Sequence, residues 1–250
     1  MTHDTTNDPR PAAPGDGEPS RREVWRMFDR IAARYDLANR VLSAGCDLAW
    51  RRRMARLLPG GESLRLLDIA TGTADQILLL LELVPRIRQA TGIDLSEKML
   101  AVGRAKALRH GLEARAVLKA GDALAIPEPD ASFDVCTIAF GIRNVENVPV
   151  ALREMRRVLR PGGRALVLEF SRPAAWFRPL YSFYLLRILP VLGGWLAGEA
   201  QAYRYLGTTV KTFASGEDFC DLMRAAGLVD VRAVPLRLGI ATIYRGDAPS

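Results

Sequence analysis

The sequence predicts a doubly wound α/β domain built on a mostly parallel sheet. Three observations carry this expectation. From Leu64 onward, short apolar runs of strand length alternate with segments of helical periodicity. Acidic and glycine-bearing turns stand directly after those runs, where open parallel sheets bind their ligands. The last two runs, 229–235 and 239–244, are separated by only a tight turn, which predicts an antiparallel edge.

Taken in order, the elements begin at Ser20, where Ser20-Arg21-Arg22-Glu23 reads as a capping box opening a helix. Residues 24–57 are helical in pieces, broken near 43–45 and ended by Pro59-Gly60-Gly61. The first strand is 64–69, followed by a turn through Thr71-Gly72-Thr73 into a helix. A second strand ends at Asp94, and Ser96 caps a helix that closes before Gly111. Strands at 115–119 and 132–140 follow. Val148, Leu152, Met155 and Leu159 then recur at helical spacing until Arg160-Pro161-Gly162-Gly163 stops the helix. A fifth strand at 165–170 and a helix from Ser215 to Gly227 complete the alternation, giving seven strands with the final pair.

One segment breaks the pattern. Residues 173–205 form an apolar, aromatic insertion before the last helix, interrupted by Arg187, Pro190 and Gly193-Gly194, so a membrane-spanning helix is not expected. It reads as a helical lid packed on the domain, and equally as the wall of an apolar substrate pocket or a contact with a bilayer surface.

The 250 residues are 49% hydrophobic and 25% charged, which suits one large domain over residues 21–250. Residues 1–20 have almost nothing to bury and read as a disordered tail without a secretory signal. Cys46, Cys136 and Cys220 have neither metal-ligand nor disulfide spacing, and Cys136 reads as an inert core thiol in a cytoplasmic protein. The net charge of +7 is nearly all Arg, spread along the chain. Its clusters at Arg51–Arg53 and Arg153–Arg157 read as solvated helix faces, so nucleic acid is not expected as a partner.

The candidate ligand residues follow the strands. Asp68 and Gly72 flank the first strand exit, and glycine there permits close backbone approach. Neither Gly-x-Gly-x-x-Gly nor a phosphate loop is present, and Asp75 at the next helix start would repel a pyrophosphate but suit a cationic ligand with an amino group and a sulfonium. Asp94 can accept from ribose hydroxyls, although it also reads as a helix-proximal cap. Asp122, after the third strand, can accept from an adenine amino group. Three carboxylates after three successive strands favour a nucleoside site.

The only histidines are His3 and His110, neither well placed for catalysis, and no nucleophile–base arrangement or metal cluster is visible. This implies a reaction that needs little protein acid–base chemistry. Methyl transfer from S-adenosylmethionine fits, since positioning supplies most of the acceleration. Arg143 and Asn144 follow the fourth strand, and Arg143, unless it is a surface cation, can stabilise a developing phenolate.

Several strings carry a resemblance to a known family: Ala33-Arg34-Tyr35-Asp36 with Asn39, Leu67 to Thr73, Asp94 with Met99-Leu100, Phe140-Gly141-Ile142-Arg143-Asn144, Leu168-Glu169-Phe170-Ser171 and Tyr203-Arg204-Tyr205-Leu206. From Val24 to Gly246 the chain resembles the menaquinone and ubiquinone biosynthesis C-methyltransferases. The resemblance implies a seven-stranded methyltransferase sheet and methylation of a ring carbon of a reduced, polyprenylated quinone precursor, with demethylmenaquinol the favoured acceptor. It implies that Thr73, Asp94, Asp122, Ala123 and Ala139 bind the donor, and that Tyr35 and Arg143 line the acceptor site. It also implies that the insertion takes the isoprenoid tail at the inner face of a membrane. The reading leaves room for a homo-oligomer.

The chain departs from the family pattern at Thr71 and Ala74, which stand where glycines are usual, and at Ala139, where a serine is often found. A positive φ at either of the first two would cost about 1 kcal/mol. Two other readings remain open: a methyltransferase acting on a benzoquinol or a soluble phenolic metabolite, and a non-catalytic protein that keeps the fold.

Overall fold

The computed structural model describes residues 24–191, 205, 209–210 and 212–250. The predicted tail, the capping box at Ser20 and Glu23, and most of the second half of the insertion lie outside the described residues.

Seven strands form one sheet: β1 Leu64–Ile69, β2 Ile87–Asp94, β3 Ala116–Ala120, β4 Phe133–Ala139, β5 Leu159–Phe170, β6 Val229–Leu236 and β7 Ala241–Asp247. Their order is β3-β2-β1-β4-β5-β7-β6. The first five pair in parallel, and β7 runs antiparallel between β5 and β6. The chain winds outward from β1 in one direction and from β4 in the other, so the switch point lies between their carboxyl ends. Both central strands are buried on both faces, which is why they read as continuous apolar runs.

Helices cover the two faces. α3 (Cys46–Ala55), α4 (Asp75–Leu83) and α5 (Glu97–Arg109) pack on one side through Met54, Ile77, Leu81 and Leu100. α6 (Val148–Val158) and α8 (Glu217–Ala225) pack on the other through Leu152, Met155, Phe219 and Met223. The two N-terminal helices, α1 (Val24–Ile31) and α2 (Tyr35–Leu42), instead meet α7 (Arg178–Phe183), which continues as a π-helical turn over Tyr184–Ile188. Met27, Ile31, Ala38, Tyr181, Leu185 and Leu189 form this third core, outside the sheet and across its carboxyl end. The insertion is therefore helical where described.

Two boundaries differ from expectation. α6 ends at Val158, and Arg160 to Gly163 belong to β5 rather than to a stop, because Gly162 N–H donates to Ala248 O and Ala248 N–H to Gly163 O. Ser215 is not the cap of α8; the capping position is Gly216, at φ 68° and ψ −131°, a conformation that favours glycine. Ser96 does cap α5, its Oγ accepting from Met99 N–H at 3.2 Å. Cys136 is fully buried, and burial pushes its thiol well up.

Candidate active site

Two cavities open at the carboxyl end of the sheet and share a wall. The first, of about 350 Å³, is lined by Gly72, Asp94, Met99, Asp122, Ala123, Ala139 and Asn144, roofed by Trp25, Phe28 and Tyr35. The second, of about 570 Å³, runs between the N-terminal helices and α7 and is lined largely by aromatic and aliphatic side chains. Phe28, Tyr35 and Phe140 face both.

The shared wall follows from backbone geometry at the switch point. Ala70, just past β1, has φ +49°, and Phe140, just past β4, has φ +59°. Each turns its strand exit sharply, at a cost of order 1–2 kcal/mol for a residue with a side chain. Phe140 is held there by its N–H on Leu168 O and by the Arg143 guanidinium on its carbonyl, both at 2.7 Å. A Cβ on Gly141 would come within 2.6 Å of the Ala70 Cβ, so only glycine lets the two exits approach.

In the first cavity, Asp94 is tied down by backbone. Its Oδ2 accepts from Gly72 N–H and its Oδ1 from Ser96 N–H, both at 2.8 Å. Burial raises its carboxyl, and the backbone N–H groups of Ser96, Gly72 and Leu95 counter the rise. Of the carboxylate's four lone pairs at least one is left for a ligand. The cap reading and the ligand reading of Asp94 are thus compatible. Asp122 is exposed at the rim, its Oδ1 taking Leu124 N–H at 2.9 Å.

Asp68, Thr73 and Asp75 lie outside this lining. Asp68 is fully enclosed beneath it and accepts from Thr71 Oγ1 at 2.7 Å and Thr137 Oγ1 at 2.5 Å. Burial lifts its carboxyl to about 6. Thr73 Oγ1 donates to Asp36 on α2. Asp75, expected to meet a cationic ligand, is taken instead by Lys106, which also reaches Asp36 at 2.8 Å, with Arg40 at 3.5 Å. With Ser96 Oγ donating to Asp29, these contacts fasten α1 and α2 over the donor turn.

Arg143 belongs to the second cavity and is not a surface cation. It is 6% exposed, and Nη1 donates to Glu169 Oε1 at 2.6 Å. Its guanidinium lies 5.3 Å from the centre of the Phe170 ring, and Nε is buried without a partner among the described residues. Phe170 and Phe140 are in contact at 4.7 Å between ring centres, with Trp50 6.2 Å from Phe170 and 6.0 Å from Phe140. Burial raises the Tyr35 phenol, while a hydrogen bond from Asn39 and the positive charges of Arg143 and Arg51 lower it.

Sequence reasoning did not select Glu169, Phe140, Phe170 or the N-terminal roof residues Trp25 and Phe28. Glu169 and Phe140 stood inside the strings that carry the resemblance, and a carboxylate at a buried strand end was itself a usable signal. The roof depends on α1 folding back over the sheet, which no local pattern encodes.

The sequence matches the ubiE/COQ5 methyltransferase family over residues 17–247. The chain belongs to that family. A demethylmenaquinone methyltransferase of Thermus thermophilus is 48% identical over 224 residues, covering 89% of this chain and all of that one. A ubiquinone/menaquinone biosynthesis C-methyltransferase of Geobacter sulfurreducens is 46% identical over 222 residues, 88% of this chain and 86% of that one. Among solved structures, a SAM-dependent methyltransferase of Thermotoga maritima superposes with a TM-score of 0.64 at 22% identity, covering 89% of this chain and 99% of that one. At that identity the likeness speaks for the fold.

As a member of this family the protein is an S-adenosylmethionine-dependent methyltransferase. The first cavity fits that donor. Asn144 Oδ1 is buried there with no partner among the described residues, which suits a ligand amino group. Asp94 offers a free lone pair for a hydroxyl donor, and Gly72, at φ +57°, leaves only the Met99 methyl within 4 Å of where a Cβ would stand.

Proposed function

We propose that this methyltransferase acts on a ring carbon of a reduced, polyprenylated quinone precursor, converting demethylmenaquinol to menaquinol. The observation that carries the reading is the character of the second cavity. It is aromatic and apolar, it abuts the donor cavity at Tyr35 and Phe140, and its buried polar atoms with no partner among the described residues include the N–H groups of Trp50, Arg51 and Arg143. A flat apolar ring bearing oxygen acceptors satisfies all of these at once. The names of the Thermus and Geobacter relatives support the same acceptor class.

When bound, S-adenosylmethionine supplies an activated methyl group with a neutral thioether as leaving group. The chain's own residues do the rest by placement. Asp94, Met99 and Asn144 hold the donor, with Thr73, Asp68 and Asp75 acting from behind the turn. The Phe140 and Phe170 rings set the plane of the acceptor. Arg143, already fixed by Glu169, presents its remaining N–H groups to a ring hydroxyl and favours the ionised form, which makes the adjacent ring carbon nucleophilic. Tyr35 closes the junction and excludes water. The ring carbon gains the methyl, and its own hydrogen leaves as a proton when aromaticity returns.

The insertion supplies the tail end. Leu180, Phe183, Leu185 and Ile188 extend the cavity wall towards the surface, and Trp176, Leu186 and Val191 are exposed on the same segment, as are Arg172, Arg178 and Arg187. A segment that exposes both large apolar side chains and arginines suits peripheral contact with the cytoplasmic face of an anionic membrane. Among the described residues no helix is long and apolar enough to cross a membrane.

Turnover of a short-chain prenylated demethylnaphthoquinol against the tail-less ring tests the acceptor class. A kcat/KM at least tenfold higher for the prenylated ring is expected; equal values would favour a soluble phenolic acceptor.

A further inference from the structure

We propose that Arg51 is a second oxygen-binding residue of the acceptor cavity, holding the acceptor ring oxygen that Arg143 does not hold. This rests on the quinol reading above, since it requires a ring with two oxygens on opposite sides.

Arg51 sits on α3 at the head of a run of three arginines. Arg52 and Arg53 face solvent as the sequence suggested, but Arg51 is only 8% exposed and lines the second cavity. Among the described residues its one hydrogen bond is a long one, from Nη1 to Gln76 Oε1 at 3.3 Å, and its buried Nε has no partner. No ion pair is formed by Arg51 among the described residues, whereas Arg143, as deeply buried, is paired with Glu169. The carboxylates around it are otherwise engaged: Asp47, one turn earlier on α3, is taken by Arg40 and Ser43, and Asp68 is hydrogen-bonded to Thr71 and Thr137.

A guanidinium cannot shed its proton, so burial without a hydrogen-bonding anion leaves it with donors turned to whatever fills the cavity, water or a ligand oxygen. Its position suits that role. The Arg51 guanidinium lies 5.6 Å from the Phe140 ring centre and that of Arg143 5.3 Å from the Phe170 ring centre, and the two rings are in contact. Both arginines line this cavity together with Tyr35, which also faces the donor cavity. Two arginines on a two-ring platform suit a ring bearing two oxygens.

The test uses 1,4-naphthalenediol and 1-naphthol, kept reduced, as calorimetric probes of the full-length protein, with the demethylmenaquinol assay run alongside. The wild type is expected to bind the diol about tenfold or more tightly than the mono-ol, as a charge-assisted hydrogen bond gives. Arg51→Gln should abolish that preference, leaving mono-ol and S-adenosylmethionine affinities within twofold, and Arg51→Lys should restore part of it. A wild type without the preference, or an Arg51→Gln protein that keeps it or weakens both probes equally, would overturn the assignment. If the preference and its loss are seen but demethylmenaquinol is not methylated, the assignment of Arg51 stands and the choice of quinol falls.

Discussion

Glu169 holds Arg143 by both of its oxygens: Oε1 accepts from the guanidinium at 2.6 Å, and Oε2 from the Arg143 backbone N–H at 3.4 Å. Glu169 is fully buried, and Oε1 also takes Phe170 N–H at 2.8 Å. The carboxylate at the end of β5 therefore fixes the residue that follows the neighbouring strand β4. Removing either partner leaves an uncompensated buried charge, worth about 3–5 kcal/mol. Arg143→Met and Glu169→Leu should each destabilise on that scale, and the double variant should be more stable than either. Urea unfolding of the three proteins checks this, and additive losses would refute the coupling.

Activity separates the two residues. Glu169→Gln keeps the shape and one acceptor, so it should lower kcat by roughly ten- to a hundredfold through a loosened Arg143. Arg143→Ala should lower it by at least a hundredfold, on the scale of an oxyanion donor. Donor affinity measured by calorimetry should change little in both. An Arg143→Ala enzyme with unchanged turnover would remove Arg143 from the mechanism.

Asp94 is the carboxylate whose loss should show in donor binding. Asp94→Ala removes the acceptor for Gly72 and Ser96 N–H and the candidate partner of the ligand hydroxyls, and should weaken S-adenosylmethionine binding by at least tenfold. Asp75→Asn should have a smaller effect on affinity and a larger one on stability, because its contacts are with Lys106 and Arg40. Titration calorimetry and thermal unfolding on both proteins separate the two roles.

Asp68 gives a pH dependence with a defined sign. Its carboxyl is raised from 3.8 unfolded to about 6 in the folded protein, so the native state binds the proton more tightly. Its contribution favours folding below about pH 4 and is lost as pH rises through about 6, a change of about 3 kcal/mol at most. Asp68→Asn should flatten stability between pH 4 and 6.5 relative to the wild type. Parallel slopes for the two proteins would contradict the burial argument.

The donor turn stores strain that can be located. Ala74 has φ +66° while Thr71 does not have a positive φ, so of the two departures from glycine only Ala74 carries a backbone cost. Its Cβ packs where Gly103 of α5 approaches, and a Cβ there would lie 3.0 Å away. Ala74→Gly should be neutral or stabilising by less than about 1 kcal/mol. Gly103→Ala should cost more in the wild type than in the Ala74→Gly background. Thermal unfolding of the four proteins measures that difference.

What the sequence disclosed follows the range of the interactions. β1 and β4 were legible because burial on both faces leaves an unbroken apolar run, and the Ser96 cap because its bond spans three residues. Gly72, Asp94 and Asp122 could be placed at strand exits, and Met99, Ala123 and Ala139 came from the family resemblance; all six line one cavity. Which polar residues turn inward was not legible. Arg51 and Arg52 are neighbours of the same type, and only the helix's rotation against β5 buries one and exposes the other. Asp75 looked available until Lys106, thirty-one residues on, was brought against it. The roof of α1 and α2 is likewise set by contacts with α5 and α7 that leave no local trace.

The central claim is transfer of one methyl group to a carbon of a reduced quinol ring. The most direct measurement is mass spectrometry of demethylmenaquinol, kept chemically reduced, after incubation with the protein and methyl-labelled S-adenosylmethionine. The account predicts a single labelled methyl on a ring carbon, absent when the quinone is supplied oxidised. A methyl on oxygen, or equal transfer to the oxidised ring, would contradict it.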